Sequence, residues 1–214
     1  GADSMKARQM TEELKNSFAA DTNSKAFVAR NTSAVDFTDE FLPLSKIQSS
    51  AKDTIVKQSI GTVYGPFADG PNYTLAKVIG TKTLPDSVKA RHILIAVNDP
   101  QTGKAIMADS AAKKLADSIL TAVKGGADAK GGDLGTFGYG TMVPEFNTFT
   151  FSKSAGDKGV VKTQFGYHVI DIVSQKDFKP AYKIAFVAKP IIPSDETINA
   201  ASMAATKASA NKNA

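Results

Sequence analysis

The chain has 214 residues, 42% of them hydrophobic, enough to bury a core as one large domain or as two small units, and two small units is the expectation. Its 26 Lys plus Arg against 21 Asp plus Glu leave a net charge of +5. The only arginines are Arg8, Arg30 and Arg91, and the lysines are spread along the whole length, so the pattern reads as a solvated basic surface and argues against a nucleic-acid partner. With no cysteine there is no disulfide framework, thiolate nucleophile or zinc–thiolate site. No stretch approaches the apolar length that spans a bilayer, and the polar start Gly1-Ala2-Asp3-Ser4 is no signal peptide; a leading Gly is expected of a piece excised from a longer protein.

From Met5, the apolar residues Met10, Leu14 and Phe18 recur at near-helical spacing and predict a helix over about 5–19, ending before Asp21-Thr22-Asn23. A second short helix is predicted around Lys25 to Ala29. Residues 31–60 are mixed, and Gly65-Pro66 then leads into the β-rich run Tyr73 to Ile79, a hairpin entering a strand. After Leu84-Pro85-Asp86, the apolar and β-branched density of Val88 to Val97 predicts a strand with Val88, Ala90, His92, Leu94 and Ala96 on one face. A polar turn over 98–103 follows. Met107, Ala111, Leu115, Ile119 and Val123 then repeat every four residues as an amphipathic helix stopped by Gly125-Gly126. The glycine-rich stretch Gly131 to Gly135, a short helix from Pro144 to Phe149, and a hairpin ending in Gly166 to Val173 complete an α+β pattern with an antiparallel sheet.

Sliding the chain on itself by about 95 residues lays Ser59-Ile60-Gly61 over Ser154-Ala155-Gly156, Val78 over Val173 and Pro85 over Pro180 without a gap. Residues 1–85 are therefore read as a degenerate copy of the unit at 86–180. Residues 181–214 read as the strand and helix that open a third unit or pack on the first, with Pro193-Ser194-Asp195-Glu196 capping an alanine-rich helix to about 210. Whether that tail serves its own chain or exchanges with a second copy is left open by the sequence.

The two histidines, His92 and His168, each lie in a predicted strand on a face shared with apolar neighbours, so they can meet. Taken singly, each is more simply a hydrogen-bonded core histidine, and a two-histidine metal site lacks a third ligand at matching spacing. The motifs around them weigh more. Arg91-His92-Ile93-Leu94-Ile95, Gly132-Asp133-Leu134-Gly135, Met142-Val143-Pro144-Glu145-Phe146 and Phe165-Gly166-Tyr167-His168-Val169-Ile170 occur in that order, and together they resemble the signature of parvulin (PpiC-type rotamase) peptidyl-prolyl isomerases over residues 88–174. The flanking layout is similar to that of periplasmic chaperone-isomerases of the PpiD and SurA kind, the PpiD-like proteins of Bacteroidetes above all.

The resemblance implies a four-stranded antiparallel sheet flanked by helices, preceded by a degenerate parvulin-like unit. It implies cofactor-free, non-covalent twisting of an X-Pro bond in unfolded or extended proline-containing polypeptides, in the periplasm or cell envelope, with membrane anchoring in a full-length protein. On the family pattern Met142 and Phe146 floor an apolar cradle, Phe165 stands at its rim, Leu134 completes its wall, and His92 and His168 form a tandem pair beneath it. Gly132 and Gly135 permit the tight backbone beside the cradle, and Asp133 caps a turn. Members usually carry a further helix and a loop with a Cys or Asp facing the substrate carbonyl. Only residues 124–130 fill that interval here, which leaves Asp128 as the acidic candidate. The retained histidines and the Met142/Phe146 pair favour an enzyme, while the short interval favours a non-catalytic chaperone or scaffold. Asn98, Asp99 and a lone Lys104 stand where phosphate-directed members have a basic cluster, so phospho-Ser/Thr-Pro preference is not expected. The first unit has no histidine and no Gly-Asp-Leu-Gly turn, and is expected to extend a client-binding surface or to space the active unit.

Overall fold

The computed structural model describes residues 2–99, 101–127 and 132–210, with nothing stated of the side chains of 208–210. Its elements in order are α1 (Ala2–Glu12), α2 (Lys15–Ala20), α3 (Ser24–Arg30), β1 (Leu42–Pro43), a 3-10 turn (Leu44–Lys46), α4 (Lys52–Ile55), β2 (Val63–Asp69), β3 (Asn72–Ala96), α5 (Asp109–Lys124), β4 (Asp133–Gly138), α6 (Pro144–Ser152), β5 (Lys158–Thr163), β6 (Gly166–Pro190) and α7 (Asp195–Ala210). The chain divides into two compact units, residues 1–82 with 181–214, and residues 83–180.

In the unit at 83–180 the strand order is β4-β3-β6-β5, with β4 antiparallel to β3 and β5 antiparallel to β6. Alternation along the strands sorts the side chains into two layers. On one face Val88, Ala90, Ile170 and Ile172, all fully buried, meet Phe137 and the α6 residues Phe146 and Phe151. On the other face Ile95, Tyr167 and Val169 pack against Ala112 and Ala116 of α5. This is the expected α+β arrangement of a four-stranded antiparallel sheet flanked by helices.

The α5 stripe differs from the expectation. Ala112, Ala116 and Val123 are buried, with Ile119 and Leu120 half-buried, whereas Ala111 is exposed and Leu115 is 43% exposed. A strict four-residue repeat overshoots a turn of 3.6 residues, so the apolar stripe drifts off the face it starts on and alternate three- and four-residue steps hold it.

In the unit of 1–82 and 181–214, β6 lies between β1 and β3, and β2 pairs with β3 through a hairpin at Asp69↔Asn72. Leu75, Ala185 and Val187 face Phe18, Phe27 and Val28 of α2 and α3; Ala76, Val78 and Ile184 face Ile47 and Ile55 on the opposite side. Lys77 is buried and places its Nζ 2.7 Å from the Phe18 carbonyl and 2.8 Å from that of Asp21, with the Phe18 ring 4.6 Å away. It thus adds a charged donor to the carbonyls at the C-terminal end of α2, where the Phe18 carbonyl also accepts the Asp21 N–H at 3.3 Å.

The helix expected over 5–19 is two helices, α1 and α2. Ala7 and Thr11 are the buried side of α1, with the Thr11 hydroxyl satisfied by donating to the Ala7 carbonyl at 2.7 Å, and Met5 and Met10 stay exposed. The strands expected over 73–79 and 88–97 are one strand, β3, running through Leu84-Pro85-Asp86, and 166–173 and 182–188 are likewise one strand, β6. Pro85 falls after the last β2 partner, Lys77, and before the first β4 partner, Ser87; Pro180 falls after Asp171 and before Ala181 in the same way. Among the described residues, one flank of each long strand has no partner strand in these intervals, which is where a residue without an N–H is tolerated.

Candidate active site

His92 on β3 and His168 on β6 face each other with their Nδ1 atoms 3.0 Å apart and their rings nearly parallel, 5.3 Å between centroids. Phe146 meets both edge-on, at 5.7 Å from His92 and 5.5 Å from His168. Pro at the first turn of α6 starts the helix that carries Phe146, and Phe146 itself is buried. Leu134 and Met142, both half-buried, pack against the same cluster.

Burial holds both imidazoles in the neutral form. His168 is pushed down to about 4, first by burial and then by the proximity of His92, and His92 is lowered by burial as well. A neutral pair bridged through Nδ1 needs one ring to donate and the other to accept. The other nitrogen of His168, Nε2, lies 2.8 Å from the Thr163 hydroxyl, whose oxygen also accepts the Phe165 N–H at 3.1 Å. The chain of bonds therefore closes in either direction. The hydroxyl donates to His168 Nε2 while His168 donates to His92, or His92 donates to His168 while Nε2–H donates to the hydroxyl.

Thr163 is a participant that the sequence reading missed. The register Thr163↔Gly166 and Val161↔His168 turns β5 into β6 through only Gln164 and Phe165, and that tight hairpin brings a residue five positions earlier under the ring. Thr163 is buried, a property of the fold that its residue type and position in the sequence do not mark.

The backbone beside His92 is equally tight. Gly132 has φ +64, the His92 N–H donates to its carbonyl at 3.0 Å, and a Cβ there would stand 1.8 Å from the His92 carbonyl oxygen. Only glycine fits. Asp133 accepts the Gly135 N–H at 2.9 Å and pairs with Lys89 at 3.3 Å, so it caps a turn. Asp128, the acidic candidate of the short interval, lies outside the described residues.

Phe165 is 44% exposed. It lines a groove of about 270 Å³ with Leu94, Ala96, Asn98, Asp99 and Gln164. Leu94 and Ala96 continue the strand face that carries His92. Among the described residues no group of three His, Cys, Asp or Glu side chains gathers as metal ligands. None of the described helices is long and apolar enough to cross a membrane, which says nothing of strands that cross as a barrel.

Residues 73–176 match the family model of the PPIC-type PPIase domain. Foldase protein PrsA of Caldanaerobacter subterraneus subsp. tengcongensis is 44% identical over 90 residues, covering 39% of this chain and 28% of that protein. Chaperone SurA of Legionella pneumophila is 29% identical over 155 residues, covering 60% of this chain and 34% of that protein. The crystal structure of the peptidylprolyl isomerase PrsA from Bacillus anthracis aligns with a TM-score of 0.34 at 29% identity, over 44% of each chain. In these two curated relatives the aligned stretch spans about a third of their length.

Proposed function

We propose that this chain, which carries a PPIC-type PPIase domain of the parvulin type, is a peptidyl-prolyl cis/trans isomerase that assists the folding of envelope proteins. The observation that carries the reading is the neutral, mutually hydrogen-bonded His92–His168 pair set edge-on beneath Phe146. The uncatalysed barrier to rotation of a peptide bond is about 18–20 kcal/mol and arises from resonance between the amide nitrogen and the carbonyl. At the twisted geometry that resonance is lost, so the amide is less dipolar than in the planar ground state. An apolar cradle favours the twisted form over the planar one, and interactions that strengthen only there lower the barrier.

Phe146 and Met142 floor this cradle and Leu134 walls it, while the proline ring enters over them. The histidine pair fixes the polarity beneath the ring. Both imidazoles are neutral and share one hydrogen bond through Nδ1, and the step needs no proton transfer, no covalent intermediate and no cofactor. Phe165 stands beyond the pair, on the turn whose N–H is tied to Thr163.

Clients are extended, proline-containing polypeptides, the site is the periplasm or cell envelope, and a full-length protein is anchored to the membrane. The unit of 1–82 and 181–214 contains no histidine and offers a surface to bind or space clients rather than a second catalytic centre. Exchange of a strand or domain with a second copy is the remaining association that the sequence layout allows.

The test is isomerisation of proline tetrapeptides, read by NMR exchange so that no coupling protease is needed, for the wild type, Met142→Ala and His168→Ala. Turnover in the wild type that collapses in both folded variants supports the enzyme. Binding of unfolded protein with no rate above background in the wild type overturns it and leaves a non-catalytic chaperone built on this frame.

A further inference from the structure

The groove beyond the histidine pair has a composition that the proline cradle does not need. It is lined by Leu94 and Ala96, which extend the His92 face of β3, and by Gln164 and Phe165 of the turn that enters β6. Leu94 is 42% exposed and Phe165 44%, two large apolar side chains left facing water at the edge of the site. Asn98 and Asp99 line the same groove.

Asp99 is an anion with fixed geometry. One carboxylate oxygen, Oδ1, accepts the backbone N–H of Gln101 and of Thr102, both at 2.8 Å. Those bonds hold the carboxyl below its usual range, and no cation contributes to that shift. The nearest basic residue in the turn, Lys104, meets Asp99 through its backbone, its carbonyl accepting the Asp99 N–H at 2.8 Å.

We propose that this groove is a specificity subsite that takes a lysine or arginine side chain adjacent to the proline of the substrate. The inference rests on the isomerase reading and names the class of substrate it favours. The fit follows from the chemistry of those side chains. Each has a long aliphatic stem that gains by lying along apolar surface and a charged head that stays at the water's edge. Leu94 and the Phe165 ring supply the surface, and the ring face attracts the cation. Asp99 supplies the counter-charge. An acidic side chain in the same place would set its carboxylate against that of Asp99, and a short aliphatic one would leave the carboxylate unanswered.

The direction of the peptide decides whether the selected residue precedes or follows the proline, so both series are needed. The experiment measures kcat/KM and, separately, binding by amide chemical shifts, for tetrapeptides with Lys, Arg, Leu or Glu at each position, on the wild type, Asp99→Asn and Phe165→Ser. Asp99→Asn retains an oxygen to accept the turn N–H groups and removes only the charge, so it is expected to fold. The expected result is a preference for Lys and Arg over Glu of about two- to five-fold at one of the two positions, the size of an exposed ion pair. It should fall with added salt and vanish in Asp99→Asn, with shifts at Leu94, Asp99 and Phe165.

Equal treatment of Lys and Glu at both positions, or a preference unchanged in Asp99→Asn, overturns the subsite while leaving the isomerase intact. Selective binding of the Lys peptide with no turnover of any peptide sustains the subsite and overturns the isomerase instead.

Discussion

Acidification should destabilise the domain at 83–180 through His168 before its carboxylates matter. In the folded state the pKa of this buried imidazole is about 4, against an ordinary 6.5, because burial and the neighbouring His92 disfavour the cation. The unfolded chain binds the proton more tightly than the folded one, so stability is complete above pH 6.5 and falls as the pH drops from 6.5 towards 4. At 1.36 kcal/mol per unit, lowering the pH from 7.5 to 4.5 removes about 2 to 3 kcal/mol, a large share of a typical stability of about 5–15 kcal/mol. His92 is shifted in the same direction, and protonating both rings would set two N–H donors against each other across 3.0 Å. The direct assay is an NMR titration of the imidazole C–H signals, which two histidines make simple to assign with a His92 variant. Urea unfolding at each pH for the wild type and His168→Asn gives the energetic counterpart. A His168 signal that titrates near 6.5, or a pH slope between 7.5 and 4.5 that His168→Asn leaves unchanged, would refute the reasoning.

Thr163→Val leaves His168 Nε2 and the Phe165 N–H without their partner and should cost about 1–3 kcal/mol by urea unfolding, with Thr163→Ser close to wild type. If valine is tolerated without loss, the hydroxyl is not part of the network. Gly132→Ala should cost at least about 1–2 kcal/mol for its backbone conformation alone, and more because its Cβ would overlap the His92 carbonyl. Hydrogen exchange at the His92 amide should quicken as the 3.0 Å bond to Gly132 is lost. A variant with wild-type stability and protection would mean that β4 does not constrain β3 there.

The local patterns were legible because they depend on short-range periodicity. Alternation in 88–97 and 166–173 put His92 and His168 on apolar strand faces, and Gly132, next to a turn that Asp133 caps, announced a backbone too tight for a side chain. Three features were not legible. The split of the first helix into α1 and α2, and the burial of Thr11, whose Oγ1 lies 3.4 Å from the Tyr73 carbonyl 62 residues away, are not visible in the spacing of apolar residues. The continuity of β3 through Pro85 and of β6 through Pro180 depends on which flank of each strand is paired at that point, and a proline in a sequence does not report that. The place of Thr163 under His168 depends on the register of a hairpin.

The sequence by itself determined the order of elements, the apolar faces and the two histidines as candidates, since each follows from residue type and spacing along one strand or helix. The tertiary structure alone decided that the two rings share a hydrogen bond, that burial keeps them neutral, and that Leu94, Phe165 and Asp99 border one groove. Those are relations between residues up to 76 positions apart, and pKa, tautomer and pocket shape are properties of the surroundings that packing creates rather than of any residue in it.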